Sequence, residues 1–396
     1  MPEATPSTTP DAGAPAATAA GTTSNAFALA LDTVSAVAAD ANVVIKVYGD
    51  ADAILANGSK VSPSVVSFGA RRFELFPTAE AGRVSFLAEF LAEVPSAKGP
   101  GGTLSTAQDF GFDVERLELT YLFNNYLRVR LGRSHLAMGY YNDSFHHGKI
   151  FELTTGRPYI VNFEDTNGLI MAHVVGMGAD GTFETSTFGS FRYDFNIGNS
   201  HPQDVTGVSA GLSEAKVLTE NLRLRWMPFD DFIFGINGMH SSIPACPANV
   251  LGETGGPALC PAVGAPDRPQ TDELIGGVHV VYLGYDVHFI TEAYVISHTP
   301  QGGGHQLTYG GFSELGYAIN TVTPYFRGEY IRFPDSGDTV YQAPDSLYAN
   351  TLNFSDLRVG VRWQPIPQIA AKLEGQRYYV GGTDHELAML QIAFGF

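Results

Sequence analysis

The chain has 396 residues and a formal charge of −18, from 23 Lys and Arg against 41 Asp and Glu. Charged residues make up only 16 %, against roughly a quarter in ordinary soluble proteins. The acidic balance without a basic run excludes a nucleic-acid binder, and 44 % hydrophobic content excludes a disordered chain. No window approaches the ~18 consecutive apolar residues of a membrane-spanning helix. What remains is a glycine- and aromatic-rich, all-β chain.

Residues 1–42 differ from the rest. MPEATPSTTPDAGAPAATAAGTTSN reads as a flexible, disordered Ala/Pro/Thr-rich segment. AFALALDTVSAVAADA, which follows, is weakly apolar like the end of a secretion signal, but no basic residue precedes Lys46. The expected domain is therefore 43–396.

From residue 43 onward, segments of 10–15 residues alternate with period two. In 83–94, Val84, Phe86, Ala88, Phe90, Ala92 and Val94 share one face; in 183–197, Phe183, Phe191, Tyr193, Phe195 and Ile197 oppose Glu184, Arg192, Asp194 and Asn196. Such alternation makes strands with one apolar and one polar face. Sixteen are expected, within a range of 14–18, near 43–55, 65–76, 83–94, 112–123, 126–136, 169–179, 183–197, 215–227, 231–241, 273–284, 286–298, 305–319, 322–333, 353–364, 368–380 and 385–396.

The connections carry further information. Alternate ones are short: 77–82, 124–125, ADG near 180, the stretch near 229, GY near 284, 320–321 and 365–367. Those between are mostly long: 95–111, 137–168, 198–214, 242–272 and 334–352. An antiparallel meander sorted in this way has two unlike ends, as in a transmembrane barrel with short turns on one side and long loops on the other. Strands of this length suit a tilted crossing of ~9–11 residues. Tyr121, Phe123, Tyr126, Trp226, Phe229, Tyr282, Tyr285 and Trp363 fall near strand ends, where interfacial girdles belong. The chain ends HELAMLQIAFGF, with Ala388, Leu390, Ile392, Phe394 and Phe396 on one face.

With these strands, ERLELTYLFNNYLRVRLGRSHLAMGYYNDSFHHGKIFELTTGRP (115–158) and the terminal Phe396, the chain resembles the sixteen-stranded trimeric porins of Gram-negative outer membranes, particularly the phosphate-selective-porin-like branch. The resemblance implies a homotrimer, integral in the outer membrane, and assembly by the barrel-insertion machinery reading Phe396. It also implies a constriction loop that follows strand 5 and folds inward, here about 137–168. Its implied function is passive diffusion of small hydrophilic solutes without cofactor or metal, with lipid and lipopolysaccharide outside.

Strand parity assigns the lumen, because lipid-facing positions must be apolar. Arg116, Arg128, Arg130, Arg192, Arg223, Arg225, Arg327, Arg358, Arg362 and Lys372 are expected to line the pore, with Arg83. The loop supplies Asp143, His146, His147, Glu152, Glu164 and Asp165 opposite them. One reading makes this a transverse field that filters solutes weakly by charge. In the other, the arginines pair with lumen acids (Glu89, Glu118, Glu184, Asp194, Glu329, Glu374) and brace the wall. With only six lysines, a dedicated phosphate ladder is not expected.

Asn142, Asp143, Ser144, His146 and His147 invite a lipid-hydrolase reading, but crowd one loop without nucleophile–base spacing. Ligation of a metal by His146, His147, His135, His173 or Glu164 competes with hydrogen bonding of the loop to the wall. A non-conducting barrel, plugged by its loop and serving as adhesin or assembly factor, is a further alternative, and a soluble all-β binding protein is the last. Cys246 and Cys260, the only cysteines, lie in one long connection and suggest a disulfide. In-strand glycines show no phosphate-loop spacing and read as bends or close approaches.

Overall fold

The computed structural model describes residues 42–57, 65–93, 111–145, 148–162, 168–201, 217–243, 245, 269–335, 338, 340–341 and 353–396. The N-terminal segment before residue 42, His146, His147, Glu164, Asp165, Cys246 and Cys260 lie outside the described residues. Sixteen strands follow one another: β1 (Asn42–Asn57), β2 (Val65–Ala81), β3 (Val84–Glu93), β4 (Gly111–Asn124), β5 (Leu127–His135), β6 (His173–Thr185), β7 (Gly189–His201), β8 (Val217–Phe229), β9 (Phe232–Ile243), β10 (Thr271–Gly284), β11 (Val287–Pro300), β12 (Gln306–Tyr317), β13 (Val322–Arg332), β14 (Phe354–Ile366), β15 (Ile369–Val380) and β16 (Thr383–Gly395). Each pairs with its chain neighbours, and β1 pairs with β16 from Tyr48↔Gly395 to Asn57↔Glu386, closing the barrel. Val47 and Phe396 exchange two main-chain bonds (2.9 and 2.8 Å), so the last residue sits in the seam. Closure leaves no edge, the condition for strands to cross hydrocarbon, where an unpaired peptide group costs several kcal/mol.

Side chains follow the alternation, with polarity reversed relative to a soluble protein. On β8, Leu222, Leu224 and Trp226 are exposed, whereas Asn221, Arg223 and Arg225 are buried. On β14, Leu357, Val359 and Val361 are exposed while Asp356 and Arg358 are buried; on β15, Leu373 is exposed between buried Lys372 and Glu374. A continuous apolar exterior around a charged interior is a lipid-facing wall. Exposed Phe123, Tyr126, Trp226, Phe229, Tyr285 and Trp363 gather at the short-turn end as an aromatic girdle.

Three local expectations are corrected. The turn assigned to ADG near residue 180 lies instead at 186–188, and ADG is inside β6. Asp180 faces Arg128 across the β5–β6 ladder, and Gly181 is bare because Tyr126 O would lie 2.0 Å from a Cβ there. Ladder pairing and close approach override the turn-like composition. The true turn is closed by Thr185 Oγ1, which accepts from Phe188 N (3.0 Å) and donates to Gly189 O (2.7 Å). Second, β2 continues through 77–81, and only Gly82 and Arg83 turn, Gly82 at φ +60°. Arg83 is therefore an exposed turn residue and not a lumen one. Third, two connections at the long-loop end are tight, 301–305 and 381–382.

The lipid-facing assignment predicts that Val359→Arg, at mid-strand and pointing outward, lowers stability by about 2–4 kcal/mol. Arginine at inward-facing Ser85 is expected to cost far less. Urea unfolding in liposomes, read by heat-modifiable gel migration, measures the difference.

Candidate functional site

The connection from β5 to β6, residues 136–172, turns into the barrel. Leu136 N donates to Ala172 O (2.8 Å), so the loop enters and leaves side by side. It carries a four-residue helix, α1 (Tyr141–Ser144), and a 3₁₀ turn at Tyr159–Val161. Leu136, Met138, Tyr141, Ile160, Val161, Leu169, Ile170 and Met171 are buried. They pack on inward-facing Met239, Ile275, Ile290, Tyr294, Ile296, Phe312, Ile331 and Phe354. The main apolar core therefore lies inside the barrel, between the loop and the β9–β14 wall. Each fully buried aliphatic chain contributes about 1.5–3 kcal/mol.

Wall side chains capture the loop's main chain, which makes no regular ladder of its own. Glu292 Oε1 accepts Tyr140 N (2.7 Å) and Tyr141 N (2.6 Å), and Asn237 Oδ1 accepts Gly139 N (3.1 Å). Glu329 accepts Tyr159 N, Glu374 accepts Thr155 N (3.1 Å), and Glu74 accepts Gly148 N (2.8 Å). Arg223 donates to Gly139 O (2.6 Å), Arg327 to Gly156 O (2.6 Å) and Arg157 O (3.1 Å), and Arg362 to Ile150 O (2.7 Å). Lys372 Nζ donates to Lys149 O (2.6 Å) and Thr154 O (2.7 Å); Gln391 donates to Thr155 O (3.0 Å). Inside a barrel these peptide groups have no strand partner, so an unmet group would carry a desolvation cost of ~1–3 kcal/mol. The loop is thereby fastened from β2 round to β16.

A second strap comes from the β13–β14 connection. His298 Nδ1 lies 2.8 Å from Asp338 Oδ2 and Nε2 lies 3.0 Å from Glu273 Oε1. Asp338 Oδ1 also accepts Val340 N and Tyr341 N (both 2.8 Å), and Tyr341 OH donates to Leu169 O (3.1 Å) of the first loop. Both ring nitrogens of His298 are thus engaged by carboxylates, which ties this connection to the wall.

The wall from β3 to β7 is less covered. Arg116, Arg128, Arg130 and Arg192 lie there with side chains 15–40 % exposed. Their carboxylate partners, Glu89, Asp180 and Asp194, are at most 6 % exposed. Arg128 grips Asp180 bidentately (3.0 and 2.8 Å), and Arg192 reaches Asp180 (3.4 Å) and Asp194 (3.1 Å). Arg116 is paired with Glu89. On the loop side, Asp143 meets Arg223 through two bonds (3.0 and 2.6 Å), and Arg225 pairs with Asp194 (2.9 Å). Burial alone would raise the Asp143 carboxyl, but the Arg223 guanidinium outweighs it and holds the group below the usual carboxylate range. Burial likewise opposes ionisation of Glu152, and Lys149 and Lys372 outweigh it.

The inward arginines and Lys372 divide into two groups. Arg223, Arg225, Arg327, Arg358 and Lys372 are buried, fastening the loop or bracing the wall; Arg358 binds Asp356 (2.7 Å) and Glu374 (3.3 Å). Arg362, half-buried, holds Ile150. Arg116, Arg128, Arg130 and Arg192 keep access to the open side. Ser144 is exposed and its N–H donates to Tyr140 O (3.2 Å), while the buried Asn142 amide donates to the carbonyls of Leu136, Met171 and Ala172. His173 lies between Glu115 (3.3 Å) and Arg133 (3.1 Å), a guanidinium where a metal would need another ligand. Among the described residues no group of three His, Cys, Asp or Glu could hold a metal ion. Sequence reasoning missed Glu292, Asn237, Gln391 and the role of Asn196, whose Oδ1 accepts Ala137 N (3.2 Å). Glu292 carried a signal, as a single inward acid between Ile290 and Tyr294.

No family profile and no curated protein matches the sequence. Solved structures do. The anion-selective porin from Comamonas acidovorans superposes with TM-score 0.57 at 12 % identity, covering 90 % of this chain and 100 % of that one. The outer membrane protein OmpT of Vibrio cholerae, in vitro folded and in trimer form, gives 0.55 at 10 %, covering 90 % and 99 %. The outer membrane channel DcaP of Acinetobacter baumannii gives 0.55 at 10 %, covering 90 % and 98 %. The chain is an integral membrane barrel with the fold of outer-membrane porins.

Arg223→Ala leaves Asp143 without its partner, while Asp194 keeps Arg192 and Arg225, and is expected to destabilise by about 1–3 kcal/mol, read as the unfolding midpoint. Because Asp143 and Glu152 titrate below their ordinary values, their contribution is complete above about pH 4 and lost as pH falls through the lowered values. These two contacts should therefore persist from neutral pH to about 4, and the destabilisation caused by Asp143→Asn, read as the unfolding midpoint, should shrink only below that.

Proposed function

We propose that the chain is a diffusion channel, passing small hydrophilic solutes across an outer membrane down their gradients with no catalytic step, cofactor or metal. The observation that carries this reading is the sorting of charge on the β3–β7 wall: guanidinia partly exposed, their carboxylates buried behind them. A passing solute meets a cationic surface, so anions are favoured. The preference is weak, because Arg116, Arg128, Arg130 and Arg192 each have a carboxylate within ion-pair distance. A phosphate-selective ladder has little support: of six lysines, Lys372 is buried under the loop and Lys149 is spent on Glu152 (2.8 Å).

A homotrimer, recognition of Phe396 by the insertion machinery, and lipopolysaccharide bridged by divalent cations to acidic outer loops complete the proposal. The trimer form of the Vibrio protein supports the first at the level of fold. A disulfide between Cys246 and Cys260 belongs with it as a staple of an outer loop.

One observation favours a second reading, a plugged non-conducting barrel. The loop's apolar residues fill the β9–β14 side with Leu136, Met138 and Ile170 fully covered. A hydrolase has weaker support, given the spent Asn142.

Planar-bilayer recording separates these. The channel reading expects discrete conductance steps and a reversal potential in a KCl gradient displaced toward the chloride potential. Arg128→Gln with Arg192→Gln should shift that potential toward zero. Steps appearing only after deletion of 140–160 would establish the plug.

A further inference from the structure

Phe151 is 53 % exposed, although it belongs to the loop packed inside the barrel and follows Ile150, which is buried against Tyr48, Ala370 and Ala393. The turn that presents it is built for this position. Phe151 N donates to Gly148 O (2.9 Å), and Gly148 has φ +78°. A Cβ at Gly148 would stand 2.9 Å from the Phe151 ring, so glycine meets both the left-handed backbone and the close passage of the ring. Glu74 holds Gly148 N and Arg362 holds Ile150 O, fixing the turn on either side.

The exposed ring also has aromatic company. Phe151 meets inward-facing Tyr48 edge-on at 5.4 Å, and Tyr48 meets Phe76 edge-on at 5.2 Å. The Arg116 guanidinium lies over Phe76, 5.7 Å from its centroid, with Nε given to Glu89 and part of the side chain still exposed. Phe76, Glu89 and Arg116 are neighbours on β2, β3 and β4. A polar passage gains nothing from an apolar ring held toward water by a fixed turn, unless a solute covers it.

We propose that Phe151, Tyr48, Phe76 and Arg116 form a binding shelf for aromatic monocarboxylates. The solute's ring lies on Phe151 and Tyr48, and its carboxylate turns toward the Arg116 guanidinium. Edge-to-face ring contacts and a guanidinium-paired carboxylate supply the two halves of recognition. The proposal takes the lumen to be open to solutes, as in the channel reading, but concerns binding and is testable apart from conductance.

The test uses the full chain in detergent micelles and measures binding of benzoate, acetate and benzyl alcohol by titration calorimetry, beside bilayer recording of the same preparation. Benzoate is expected to bind about fivefold to tenfold more tightly than either acetate or benzyl alcohol. Phe151→Ala should remove that advantage and Phe151→Tyr should keep it, each variant first shown folded by heat-modifiable migration. Equal affinity for benzoate and acetate, or undiminished benzoate binding by folded Phe151→Ala, overturns the shelf. Absence of conductance steps with benzoate selectivity intact overturns the channel and leaves the shelf standing.

Discussion

Everything in this molecule depends on hydrocarbon touching the outside of every strand. Peptide groups there have no water, so the sheet must close, and β1 meets β16 to do so. Side chains there must be apolar, so the charges of each strand turn inward. The consequence is a protein with Leu222, Val359 and Leu373 exposed and Arg223, Arg327 and Lys372 fully covered. The low charge fraction and near-zero mean hydropathy of the chain follow from the same one-for-one alternation.

A barrel this wide cannot fill itself with side chains, and the loop after β5 takes the place of a core. Its apolar residues cover the β9–β14 side of the inner wall, while Glu292, Asn237, Glu329, Glu374 and Lys372 receive its peptide groups. Many inward charges are thus used internally, which limits how many remain exposed inside the barrel. Those left are on the side away from the loop's apolar face, and there the arginines stand in front of their acids. The same wall thus serves two purposes, divided by position around the circumference.

Much of this was legible in the residues. Strand number, the boundaries outside β2, β6 and β7, the inward direction of Arg128, Arg223 and Arg358, and the long connection after the fifth strand all follow from period-two alternation. Errors came where local composition misled. ADG has the residues of a turn, yet Asp180 is needed opposite Arg128, and Gly181 is a close approach beside Tyr126. Arg83 continues an alternating run on paper, but Gly82 had already turned the chain.

Alternation by itself determined the fold and which face each strand residue occupies, because lipid imposes a binary rule on single positions. It could not determine which inward charges remain in contact with water. That depends on where one loop comes to rest against strands far apart in sequence, as Arg327 with Gly156 or Gln391 with Thr155. Parity assigns Arg128 and Arg327 alike to the lumen. Only the folded loop leaves one partly exposed inside the barrel and seals the other beneath it, because burial is a property of what packs on a residue and not of its place in a strand.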